Sequence, residues 1–228
     1  LNHICFHNSL HYGVNRFASS QRRKLFDEKG RAFAKTWQRD SEPLLRLMLT
    51  AKNEAVRKFA TDSLKNDFKN ELRNVSVATI QQLSTINQRS NAKDELIVWL
   101  ISQSPNFEQS QFRSLGLHDV VLKLLFSKEP QAAKYAFDYA KSYALDLPLA
   151  TLLLLADSPN SDARQFAIGQ ILSRDARRDI GLTGWGQLLD SPHHHEIASK
   201  QLLEHFNRRD FSHQWFSQRL LSQNIHSV

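Results

Sequence analysis

The chain has 228 residues, 41% of them hydrophobic, with only 7 Gly and 6 Pro, which supplies a continuous core and argues against a turn-rich all-β fold. Its net charge of +7 is uneven: residues 1–73 carry 15 Lys and Arg against 8 Asp and Glu, whereas residues 74–228 carry 15 of each. A single cysteine, Cys5, excludes an internal disulfide and fits a reducing, cytoplasmic compartment, and apolar runs such as 147–156 stop far short of the ~20 residues of a membrane span.

The first 40 residues form a segment of their own. The chain opens on Leu1 without a basic-then-apolar leader, so it reads as part of a longer protein. His3, His7 and His11 fall at i, i+4 and i+8 beside Cys5; on a helix they would share a face, yet they fall short of a four-ligand zinc set and no metal site is assigned. Val14 to Arg39 is basic and helix-favouring, an N-terminal cap or a joint to a preceding domain. Its bases, among them Arg16, Arg22, Arg23, Lys24, Arg31 and Lys35, are dense enough to neutralise phosphates and are the nucleic-acid-binding candidates.

From about residue 42 one unit recurs: an apolar helix, a polar break, then a second helix opening on a small or β-branched residue and a base. The clearest copies are Leu44 to Leu64 and Leu149 to Leu172, in which Val56-Arg57-Lys58-Phe59-Ala60 aligns with Ala163-Arg164-Gln165-Phe166-Ala167 and Leu64 with Ile171. Looser copies begin at Ser76, Val120 and Trp185, and Asp157-Ser158-Pro159 returns 33 residues later as Asp190-Ser191-Pro192. Proline stops the helix before it, while Asn160, Ser161 or Asp162 can cap the next; Ser41 before Glu42-Pro43 has the same look. Val56, Phe59, Ala60, Ser63 and Leu64 follow a helical core stripe, which makes Phe59, Leu64, Phe166 and Ile171 expected core residues.

A small residue and an arginine opening the second helix, as in Val56-Arg57 and Ala163-Arg164, resemble the HEAT-repeat family over residues 42–221. The Asp-Ser-Pro breaks are similar to the HEAT-like repeats of bacterial proteins that carry a WGR domain. Together with the repeat interval, the resemblance gives an all-α, right-handed α-solenoid of about five hairpins, with residues 1–40 as cap and 41–228 as solenoid.

Nucleophile elbows, phosphate-cradling glycine loops, HExxH and CxxC are absent, so no catalytic residue and no cofactor are assigned. Asp94 with Glu95, and Asp175 with Asp179, sit among bases and read as solvated pairs; His193-His194-His195 reads as a solvated turn. Trp37 and Trp99 fit apolar stripes, whereas Trp185, between two glycines, and Trp215 fit either a packing device or an exposed anchor. The leading expectation is a scaffold whose concave face, lined by Arg57, Lys134, Arg164 and Lys200, holds an acidic protein partner. Backbone-driven nucleic-acid binding by the basic N-terminal third is the alternative, and a HEAT-like DNA glycosylase stands third.

Overall fold

The computed structural model describes residues 31–86 and 90–220, with the backbone of residues 12–13 and 16–17. Strand-favouring aromatics mark the first pairing: β1 (Tyr12–Gly13) runs antiparallel to β2 (Arg16–Phe17), Tyr12 facing Phe17. The helix expected from Val14 therefore does not include residues 16–17. Everything else regular among the described residues is helical. The helices are α1 (Ala34–Trp37), α2 (Glu42–Thr50), α3 (Glu54–Asp67), α4 (Val77–Ser84), α5 (Asn91–Gln103) and α6 (His118–Lys123). They continue with α7 (Pro130–Tyr143), α8 (Leu149–Ala156), α9 (Ser161–Leu172), α10 (Gly181–Leu189), α11 (His195–His205) and α12 (His213–Leu220).

Backbone contacts divide the chain into two units, one ending at Ala136 and one beginning at Phe137, so the division lies inside α7. In the first unit α2 packs on α3, α4 on α5, and α3 on α5. Leu44, Met48, Phe59, Leu64, Ile80, Leu83, Leu96 and Leu100 are buried between them. In the second unit α8 packs on α9, α10 on α11, and α8 on α10, around Leu152, Leu155, Ala163, Ile171, Trp185 and Leu188. Each pair is joined by a short polar break, and the pairs lean on one another because a single pair leaves one apolar face uncovered.

The breaks share one construction. Ser127, Ser158 and Ser191 each donate their backbone N–H to the carbonyl of a buried leucine three residues earlier, Leu124, Leu155 and Leu188, at 3.0, 3.0 and 3.2 Å. Each hydroxyl then accepts from the N–H two residues on, that of Glu129, Asn160 and His193, at 3.1, 3.2 and 3.2 Å. Two of these hydroxyls also donate to an acid 33 or 34 residues earlier: Ser127 to Asp94 at 2.6 Å and Ser191 to Asp157 at 2.5 Å. At two of the breaks the helix then restarts on a side-chain cap, Asn160 accepting from the N–H groups of Asp162 and Ala163 and Glu129 from that of Ala132, whereas the His194 side chain makes no such bond before α11; Asn53 and Ser90 cap α3 and α5. Ser41 differs. Its hydroxyl donates to the Glu71 carboxylate instead of capping α2, and Asp40 accepts the Glu42 N–H at 3.0 Å.

Burial corrects one register expectation. Phe59, Leu64 and Ile171 are at most 1% exposed, but Phe166 is only half-buried, because α9 turns Ala163, Ala167, Ile168 and Ile171 inward and leaves Phe166 at the margin, edge-on to Phe137 at 5.7 Å. Phe59→Ala is expected to cost about 3–5 kcal/mol and Phe166→Ala about 1–2 kcal/mol, between the core and surface ranges. Urea denaturation of both variants checks this; equal losses would mean that the Phe166 ring is as much core as that of Phe59.

Candidate functional site

Of the residues expected to line a partner-binding face, two are turned to other tasks and two are exposed. Arg57 is only 3% exposed, since on α3 it shares the inward face of Ala60, Thr61 and Leu64 at i, i+3, i+4 and i+7; it is an interior residue of the first unit. Arg164 folds back over the break, its Nη1 donating to the carbonyls of Ser158 and Pro159 at 2.8 and 3.1 Å, and so stabilises the turn. Lys200 is exposed and sits 3.8 Å from Glu204, four residues on; Lys134 is exposed on α7. Among the phosphate-contact candidates, Arg31 is buried and ion-paired with Asp67 at 2.7 Å, which removes it from any surface role, while Lys35 is exposed. Arg22, Arg23 and Lys24, the side chain of Arg16, and the His3, His7, His11 and Cys5 group lie outside the described residues.

Where α3 meets α5, charges of both signs interlock. Lys58 reaches Asp62 at 2.6 Å and Glu95 at 3.0 Å, and Lys65 reaches Glu95 at 2.7 Å. Asp94, the neighbour of Glu95, accepts from Ser127 and lies 3.5 Å from Lys93. Burial pushes the Glu95 carboxyl up, but hydrogen bonds from Lys65 and Lys58 outweigh it and hold the group below its ordinary 4.5; burial leaves Asp62 above its ordinary 3.8. A carboxylate with a lowered folded pKa stabilises the fold above its unfolded pKa and loses that contribution as acid protonates it. Glu95→Gln is therefore expected to cost roughly 1 kcal/mol at pH 7, the scale of partly exposed pairs, and progressively less as the pH falls below 4.5. Denaturation midpoints of wild type and variant across pH 3–7 measure it, and a gap that does not narrow in acid would show that the ion pairs are not its source.

The second unit carries a different surface. A cleft of about 640 Å³ runs between α8 and α10. Leu149, Leu153 and Leu154 of α8 form one wall and Ile180, Thr183, Gln187 and Leu188 the other, with Asp157 and Asp190 at the carboxyl ends of the two helices. Leu154 is 67% exposed within it. Gly184 lets Ile180 and Leu149 pack close to the α10 backbone, because a Cβ there would lie 2.8 Å from Ile180 Cγ2 and 3.5 Å from Leu149 Cδ2.

The tryptophans on this unit are structural. Trp185 is fully buried and its indole N–H donates to the Ala176 carbonyl at 2.9 Å. The neighbouring Gly186 makes room for α12: a Cβ there would meet Arg219 Nη1 at 2.7 Å and Trp215 Nε1 at 3.3 Å. Trp215 is half-buried, donates to the Leu182 carbonyl at 3.0 Å and packs edge-on to Phe211, so both residues fit the packing reading. In the first unit Trp37 and Trp99 are half-buried, and Trp37 packs edge-on against Phe59 at 5.4 Å.

The histidine run is not the solvated turn that the sequence suggests. His193 is exposed, but His194 is 7% exposed at the N-cap position of α11, and desolvation lowers its pKa despite a hydrogen bond to the Ala156 backbone. The imidazole is consequently neutral near pH 7. Among the described residues no group of three His, Cys, Asp or Glu converges as metal ligands, and no helix is long and apolar enough to cross a membrane.

No family model, curated protein or solved structure matches this chain. The α8/α10 cleft, with its two carboxylates, is the candidate site. It was missed in the sequence because α8, apolar almost all round, reads as a buried helix; the available signal was that Leu152-Leu153-Leu154-Leu155 cannot all face one neighbour.

Proposed function

We propose that this chain is a HEAT-like α-solenoid scaffold for protein partners, and that the α8/α10 cleft of the second unit is where a partner segment docks. Leu154, 67% exposed in an apolar cleft, carries this reading, because an exposed leucine framed by other leucines gains free energy only when something covers it. Seven of the nine exposed large hydrophobic residues among the described residues lie at or beyond Tyr143, which supports apolar recognition by this unit. The recurring serine-bridged breaks support the solenoid part of the reading.

An acidic partner held by Arg57, Lys134, Arg164 and Lys200 is not part of this proposal, since Arg57 is interior and Arg164 is committed to backbone carbonyls. Nucleic-acid binding in the cleft is disfavoured as well: two carboxylates and no Lys or Arg line it, whereas a phosphate backbone needs bases.

The test is selection from a phage-displayed random-peptide library on the immobilised chain, with counter-selection on Leu154→Glu. Because Leu154 is exposed, that variant keeps its fold, checked by its far-ultraviolet circular dichroism. Enrichment of peptides that bind wild type and not the variant is the expected result; no enrichment, or peptides that ignore the substitution, would overturn the reading.

A further inference from the structure

We propose that the segment docking in the α8/α10 cleft is an amphipathic helix bearing a lysine or arginine that pairs with the carboxylate of Asp157. The inference rests on the scaffold reading above and adds the chemistry of the partner.

Asp157 terminates α8, where the last carbonyls of the helix add their own negative potential to the carboxylate and favour a cation. It is exposed, makes no ion pair among the described residues, and is held in place by the Ser191 hydroxyl donating to Oδ1 at 2.5 Å. The bases that might neutralise it are otherwise engaged. Arg164 donates to the Ser158 and Pro159 carbonyls, and Arg219 pairs with Asp190 at 2.8 Å. His194, whose charged form would lie close by, is held neutral by burial. A fixed, solvent-facing carboxylate at the end of a leucine-walled cleft that contains no base is complementary to a cation on the incoming chain.

The apolar wall gives the rest of the ligand. Leu149, Leu153 and Leu154 line an α8 of eight residues, about 12 Å long, which matches the aliphatic row of a partner helix of two to three turns. A base one turn beyond that row falls at Asp157.

The experiment uses three synthetic peptides of 14 residues with the same leucine row at i, i+3, i+4 and i+7, flanked by Lys, by Gln or by Glu. Each is titrated by fluorescence anisotropy against the full chain, Asp157→Asn and Leu154→Glu, with the sedimentation state of each protein recorded. The Lys peptide is expected to bind wild type most tightly, to lose about 3- to 10-fold with Asp157→Asn, and to lose binding with Leu154→Glu. Equal affinities for the Lys and Glu peptides, or no loss with Asp157→Asn, overturn the basic partner and leave the cleft reading standing. Lys-peptide binding that survives Leu154→Glu overturns both. Absence of binding by all three overturns this inference while the library selection separately decides the scaffold. Self-association abolished by Leu154→Glu would make a second copy of the chain the occupant and likewise overturn it.

Discussion

Asp67→Ala is expected to destabilise the first unit by about 3–5 kcal/mol, the cost of leaving a buried charge without its partner. Arg31 and Asp67 have side chains 1% and 3% exposed, joined at 2.7 Å; Arg31 Nη1 also donates to Ser63 Oγ at 3.3 Å and Gln38 Nε2 donates to Asp67 Oδ1 at 3.1 Å. Asp67 closes α3, where a lone carboxylate would oppose the helix dipole, so the guanidinium offsets two unfavourable fields at once. The pair also anchors residues 31–38 to α3. The double variant Arg31→Met with Asp67→Leu is expected to recover most of the loss, because apolar side chains of similar volume need no counter-charge. Urea denaturation of wild type, single and double variants measures both effects. A single-variant loss below about 1 kcal/mol, the scale of exposed pairs, would mean that the charges are solvated.

Trp185→Ala is expected to cost the second unit about 3–5 kcal/mol, and Trp185→Phe about 1–2 kcal/mol, since the phenyl ring fills most of the space but loses the indole hydrogen bond to the Ala176 carbonyl, which keeps only the Gly181 N–H. The indole is fully buried and bonded at 2.9 Å to the turn Ala176–Ile180 that precedes α10. That turn is itself fixed by Asp175, which accepts from the N–H groups of Arg177 and Arg178 at 3.0 and 2.7 Å. Thermal unfolding followed by circular dichroism gives the losses. An Ala variant as stable as wild type would return Trp185 to the role of an exposed anchor.

These two residues show how context altered what residue type suggested. Arg31 belongs to a run of bases that reads as phosphate-binding, and Trp185 between glycines reads either way. Nothing local distinguishes a guanidinium at the surface from one facing Asp67, 36 positions on, because the partner arrives only when α3 packs over the segment. The glycines beside Trp185 are explained by Ile180 and Leu149 at Gly184, and by Arg219 and Trp215 of α12 at Gly186.

What the sequence determined by itself was periodic or local. The helical class, the pairing of apolar helices across polar breaks, the Asp-Ser-Pro stops and the Asn160 cap all follow from neighbours within a few positions, where proline sterics, capping and helical spacing act. Phe59, Leu64 and Ile171 were legible as core for the same reason. The tertiary structure decided which face of each helix was left uncovered. Phe166 moved to the margin because α9 turned its alanines inward, Arg57 went inside because α5 packs over that side of α3, and Leu154 stayed open because α8 meets α10 through other residues. That the exposed Asp157 carboxylate has no ion pair among the described residues is likewise a tertiary fact, set by where Arg164, Arg219 and Ser191 point once the helices have packed. Periodicity states that a helix has an apolar side; only packing chooses how much of that side is covered, because coverage depends on partners that lie 30 or more residues away.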